Sequence, residues 1–81
     1  MMSDPFIVRV TACRDIYGLG GIECSAAGLA PWRYSSVGMF EVGDIREEIE
    51  RKARLRSRGA LAGRQVVITF TREAARRVGV K

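Results

Sequence analysis

The chain has 81 residues, of which 47% are hydrophobic and 28% charged, with a net charge of +5 and no histidine. That is enough for one domain, residues 1–81, and too little for two; a domain of this size buries only about 60–65% of its unfolded surface. The missing histidine removes the usual general base, the Ser-His and Cys-His nucleophile pairs and the commonest zinc ligand.

In chain order, the first element is a strand over residues 6–13. Phe6, Val8, Val10 and Ala12 alternate with Ile7, Arg9, Thr11 and Cys13, the period of a half-buried strand. Tyr17-Gly18-Leu19-Gly20-Gly21 reads as a turn, because glycine tolerates the positive φ that tight turns need. Ile22, Cys24 and Ala26 alternate with Glu23 and Ser25 in a second strand, so the two make a hairpin. One-sided burial sets its register: Phe6, Val8, Val10 and Ala12 share a face with Ile22, Cys24 and Ala26. Cys24 then points into the core and Cys13 away from it, which predicts two free thiols.

Gly28 to Pro31 breaks the alternation. Trp32, Tyr34, Phe40 and Val42 share a parity and predict a third strand, with a bulge or loop near Ser35–Gly38. Gly43-Asp44 opens a helix over 44–58. Asp44 and Glu47 match a capping box, acids fill the first turns and bases the last, and Glu47–Arg51, Glu48–Lys52 and Glu50–Arg54 have i,i+4 spacing. Ile45, Ile49 and Ala53 form its apolar stripe, and Gly59 suits the position after its end. Gln65–Phe70 reads as a fourth strand with Val66, Ile68 and Phe70 on one face. Thr71 caps a last helix, Arg72–Val78, that Gly79 ends. The order β-β-β-α-β-α predicts an α+β two-layer sandwich: a four-stranded, mainly antiparallel sheet with one main helix on one face. The other face, carrying Ile7, Val37, Met39 and Val67 among Arg9, Thr11, Thr69 and Thr71, stays open and suits a protein contact or a homodimer.

No apolar run approaches the ~18 residues that span a bilayer. The start, Met1-Met2-Ser3-Asp4-Pro5, lacks the basic cluster of a signal peptide. A cytoplasmic protein with no membrane contact is expected.

Charge is the remaining signal. Residues 1–50 hold four basic side chains against eight acidic ones, and residues 51–81 hold ten against Glu73 alone. Such asymmetry favours a nucleic-acid or acidic protein partner. Arg54, Arg56, Arg58, Arg76 and Arg77 are the candidate partner-binding set, expected to contribute little to folding. Ion pairing within the helix and a codon bias towards arginine are the plainer readings of the same residues.

Other constellations carry less. Gly18-Leu19-Gly20-Gly21 leads into a strand, whereas phosphate loops lead into a helix N-terminus, so a hairpin turn is the reading. Cys13 and Cys24 lack the further ligands zinc needs. Glu47, Glu48 and Glu50 lie on a solvated helix beside basic partners rather than in a catalytic pair. Trp32-Arg33-Tyr34 has the composition of a base-stacking patch, with core packing as the alternative for Trp32. No catalytic set, cofactor or metal is expected.

A single α+β domain from Pro5 to Val80, with one main helix, no catalytic set and a strongly polarised surface, resembles the small anti-CRISPR proteins that phages encode against their hosts. The resemblance is one of layout and rests on no motif. It implies an inhibitor that docks on a CRISPR surveillance complex or its nuclease and blocks target DNA, working in the host cytoplasm. The expectation is therefore a non-enzymatic protein-binding inhibitor. The alternatives are a small protein that binds nucleic acid directly through its basic C-terminal half, and a small structural phage subunit.

Overall fold

The computed structural model describes residues 4–14, 18, 20–35 and 42–79. Its elements run β1 (Phe6–Arg14), β2 (Gly20–Ala26), β3 (Leu29–Ser35), α1 (Val42–Arg56), β4 (Val66–Phe70) and α2 (Arg72–Val78). The four strands form one sheet in the order β3-β2-β1-β4. The β1–β2 and β2–β3 pairings are antiparallel, while β4 joins β1 in parallel, so the sheet is mixed. β3 and β4 thus run the same way at opposite edges. A parallel return of this kind needs a long crossover, and α1 lies within it.

The register follows the alternation. Val8 faces Ala26, Val10 faces Cys24 and Ala12 faces Ile22. The core holds Phe6, Val8, Val10, Ile22, Cys24 and Trp32 from the strands, with Ile45, Ile49 and Ala53 from α1 and Ala74 and Val78 from α2. Both helices therefore cover the same face. On the other face Ile7 is 42% exposed, and Arg9 and Thr69 lie in solvent. Val37 and Met39, expected beside them, fall outside the described residues, as do Tyr17 and Leu19 of the first turn and Phe40 of the third strand.

Boundaries of β3 and α1 differ from the sequence expectation in ways that matter for the core. β3 begins at Leu29, inside the Gly28–Pro31 break, because Ala27-Gly28 alone makes the turn: Gly28 takes φ 78° and Ala26 already pairs with Leu29. Pro31 is tolerated in β3 because this is an edge strand, where a missing N–H breaks no inner ladder. The helix begins at Val42, placing a residue expected in the third strand inside α1 and Asp44 in its first turn. It ends at Arg56, and turns follow through residue 63. Leu61, in those turns, is 3% exposed and belongs to the core. α2 matches its expectation: the Thr71 hydroxyl accepts from the Ala74 N–H, and Gly79, at φ 79°, donates back to Ala75 and Arg76 carbonyls.

Candidate docking surface

Among the described residues, the basic side chains after residue 50 do not gather on one surface. Arg56 and Arg58 lie at the end of the sheet where β1 starts, flanking a groove of about 340 Å³ whose apolar members include Phe6, Leu29 and Leu61. Arg77 reaches the far end of β1, at Cys13. Seven residues of strand separate Phe6 from Cys13, roughly 23 Å at about 3.3 Å per residue.

At the groove end, arginines donate to backbone carbonyls in the turns after α1 and just before β1. Arg54 donates from Nη1 to the Leu61 carbonyl at 2.8 Å and from Nη2 to the Arg64 carbonyl at 3.0 Å, and pairs with Glu50 at 3.2 Å. Arg64 donates twice to the Asp4 carbonyl, at 3.1 and 2.7 Å, and its guanidinium stands over Phe6. These two arginines tie the turn to the helix and the chain start to the turn. Arg56 and Arg58 differ. Both are exposed, and among the described residues neither meets a carboxylate. Arg56 lies over the Trp32 ring at 5.8 Å, an attraction that fixes the guanidinium without neutralising it. Trp32 itself is 5% exposed and packed in the core, which leaves no ring face for stacking on bases.

The other end repeats the division. Arg77 donates from Nη1 to the carbonyls of Cys13 and Gly21, the latter at 3.0 Å, and so pins α2 to the β1–β2 hairpin. A Cβ at Gly20 would stand 3.5 Å from the Arg77 guanidinium, an ordinary contact. Gly21 is demanded by β3, since a Cβ there would lie 2.7 Å from the Tyr34 carbonyl oxygen. Of the two glycines, Gly21 is the one that close packing requires. Arg76 keeps a side chain 72% exposed, beside Glu73 at 3.5 Å. Of the five candidate residues, then, Arg54 and Arg77 are built into the fold, contrary to the expectation that all contribute little to folding. Arg56, Arg58 and Arg76 stay at the surface, divided between the two ends. Arg64 was visible in the sequence only as one more base; its bonds are to carbonyls, which side-chain patterns do not announce.

The helix acids pair as helix-surface groups. Glu48 takes Arg51, not Lys52, in a two-pronged contact at 2.7 and 2.9 Å; that bond holds the Glu48 carboxyl below its usual range. Cys13 and Cys24 are both free. Burial, with smaller contributions from Cys13 and Glu23, pushes the Cys24 thiol up to about 12. Burial likewise pushes Tyr34 up to about 12, although Trp32 Nε1 donates to its oxygen at 3.1 Å. The Tyr34 hydroxyl in turn donates to the Glu48 carbonyl at 3.4 Å, tying α1 to β3. No helix among the described residues is long and apolar enough to cross a membrane. Compared with protein-family models, curated proteins and solved structures, the chain matches none of them.

Proposed function

We propose that this chain is a non-enzymatic binding protein that docks on a protein surface of a nucleic-acid-processing complex and blocks it, in the manner of the anti-CRISPR inhibitors its layout resembles. The observation that carries the reading is the pair Arg56 and Arg58. They are exposed, uncompensated among the described residues, and flank an apolar groove. Arginine beside apolar surface is the composition of a protein interface. A nucleic-acid track would favour the basic groups lying along one continuous groove, and here they divide between two ends while Arg54 and Arg77 are occupied by carbonyls.

The test pairs two titrations. In the first, a CRISPR surveillance complex binds labelled target DNA in the presence of rising wild-type protein or of Arg56→Glu/Arg58→Glu. Wild type is expected to suppress target binding, and the folded double variant to lose most of that effect through slower association at low salt. In the second, the protein alone is titrated with DNA and RNA duplexes across a salt series. Binding to every sequence with a steep loss on adding salt would favour the direct nucleic-acid reading instead. Equal inhibition by wild type and variant would remove the Arg56–Arg58 end from the mechanism.

A further inference from the structure

Two grooves of similar size lie beside α1, and their charges differ. The one between β4 and α1, about 330 Å³, is lined by Arg46, Glu47, Glu50 and Arg51 with Val66 and Ile68, so its charges balance. The one at the end of α1, about 340 Å³, lies between the Ala27-Gly28 turn and the turns that follow the helix. Phe6, Ala27, Leu29, Ala60 and Leu61 supply its apolar lining and Arg56, Arg58 and Arg64 its charge, and no lining residue is acidic. Asp4 meets Arg64 through its carbonyl. Among the described residues its carboxylate pairs with no arginine. Arg58 takes φ 53°, and Gly59 after it φ 86°. This left-handed region is costly for a residue with a Cβ, and just past a helix end it is the usual place of glycine. The backbone there is satisfied without the side chain, since the Arg58 N–H donates to the Leu55 carbonyl at 3.2 Å. Glycine would serve the fold as well or better, so the arginine is kept for the exposed guanidinium it presents. Backbone strain of this kind clusters at binding sites.

Building on the docking function proposed above, on which this step rests, we infer that the groove takes an acidic segment of the partner protein. The segment sets an apolar side chain against Phe6, Leu29 and Leu61 and brings carboxylates to Arg56 and Arg58. Charge selects the sign of the occupant: three guanidiniums and no acid line the groove, and a carboxylate matches the two-pronged donor geometry of arginine. The apolar lining selects its class. A nucleic-acid backbone would use the arginines and leave the apolar surface in water, whereas a peptide side chain covers it. The Trp32 ring, which could stack on a base, is only 5% exposed.

The probe is a capped pentapeptide with phenylalanine between pairs of acidic residues, titrated into the full chain and followed by amide chemical shifts. Two control peptides replace the phenylalanine by serine or the acids by lysine. Shifts are expected to centre on Phe6, Leu29 and Leu61, and each control should bind about tenfold more weakly or worse, the effect of losing a charge-assisted bond or a buried side chain. Arg58→Gly should weaken the peptide by a similar factor while the melting temperature stays the same or rises, a split that a structural arginine would not produce. Four results would overturn the inference: no binding up to about 1 mM peptide; equal binding of the serine control; displacement of the peptide by a DNA duplex at matched charge; or a lower melting temperature in Arg58→Gly with affinity unchanged. The inference and the function it rests on fail separately. If the peptide does not bind but Arg56→Glu/Arg58→Glu still abolishes inhibition of target binding, the acidic segment is wrong and the docking function stands. If the peptide binds in the groove but the protein suppresses no target binding, the occupant stands and the docking function falls.

Discussion

Arg54 and Arg58 stand four residues apart at the same end of the protein, yet their guanidinium groups meet different surroundings. Arg54 faces the turn after α1 and binds its Leu61 and Arg64 carbonyls, the first of which also accepts from the Arg64 N–H. Arg58 lies in solvent at φ 53°. Arg77 and Arg76 repeat the contrast at the other end, one on the carbonyls of Cys13 and Gly21, the other mostly exposed. What separates the members of each pair is reach to a backbone carbonyl. A charge-assisted bond to such a carbonyl is among the stronger ones available. Net charge therefore overstates the surface open to a partner, because part of it is committed to the backbone.

The contrast can be put on an energy scale, from the largest change down. Ile49, on the inner side of α1, is fully buried, and Ile49→Ala should lower the unfolding free energy by about 2–4 kcal/mol; a loss below about 0.5 kcal/mol in urea denaturation would mean that α1 does not anchor the core. Arg77→Met keeps much of the apolar stem and removes the bonds to two carbonyls. It should cost about 1.5–3 kcal/mol, the range of hydrogen bonds to charged groups, and a neutral result would transfer Arg77 to the free class.

Alkaline titration sharpens the account of the core those arginines surround. Cys24 rises from 9.0 to about 12 and Tyr34 from 10.0 to about 12 on folding. Both are held neutral in the folded state, so the unfolded chain loses their protons first. Their contribution is present below pH 9 and is lost as pH rises toward 12. Stability should fall over that window, and Cys24→Ala with Tyr34→Phe should flatten the slope. An unchanged slope would show that neither group is shielded. The gentlest probe is alkylation of the native protein at neutral pH. Cys13, half-buried, should react first and Cys24 only on unfolding; two equally fast thiols would contradict the register of the hairpin.

The sequence carried the parts of this fold that depend on local chemistry. α2 was legible to the residue because Thr71 and Gly79 are caps whose geometry is set within a few positions. The hairpin register was legible because one wet face leaves a single workable alternation. The parallel β1–β4 pairing was not, since strand order is decided by contacts between residues about 60 positions apart, and Val66 to Phe70 alternate alike in either direction. Leu61 was missed as a core residue because it sits among turn residues with no period around it. At the candidate surface, the charge imbalance was plain, but which arginines would meet carbonyls depended on where the turn after α1 folds back.

The central claim is that the five candidate arginines fall into two classes, and paired denaturation curves test it most directly. Arg54→Met/Arg77→Met and Arg56→Met/Arg58→Met remove the same number and type of charges. The account predicts a loss of about 3–6 kcal/mol for the first pair if the two sites add, enough to unfold much of so small a domain. For the second it predicts less than about 1 kcal/mol, the scale of an exposed cation–π contact. Equal losses from the two double variants, or a larger loss from the second, would contradict it.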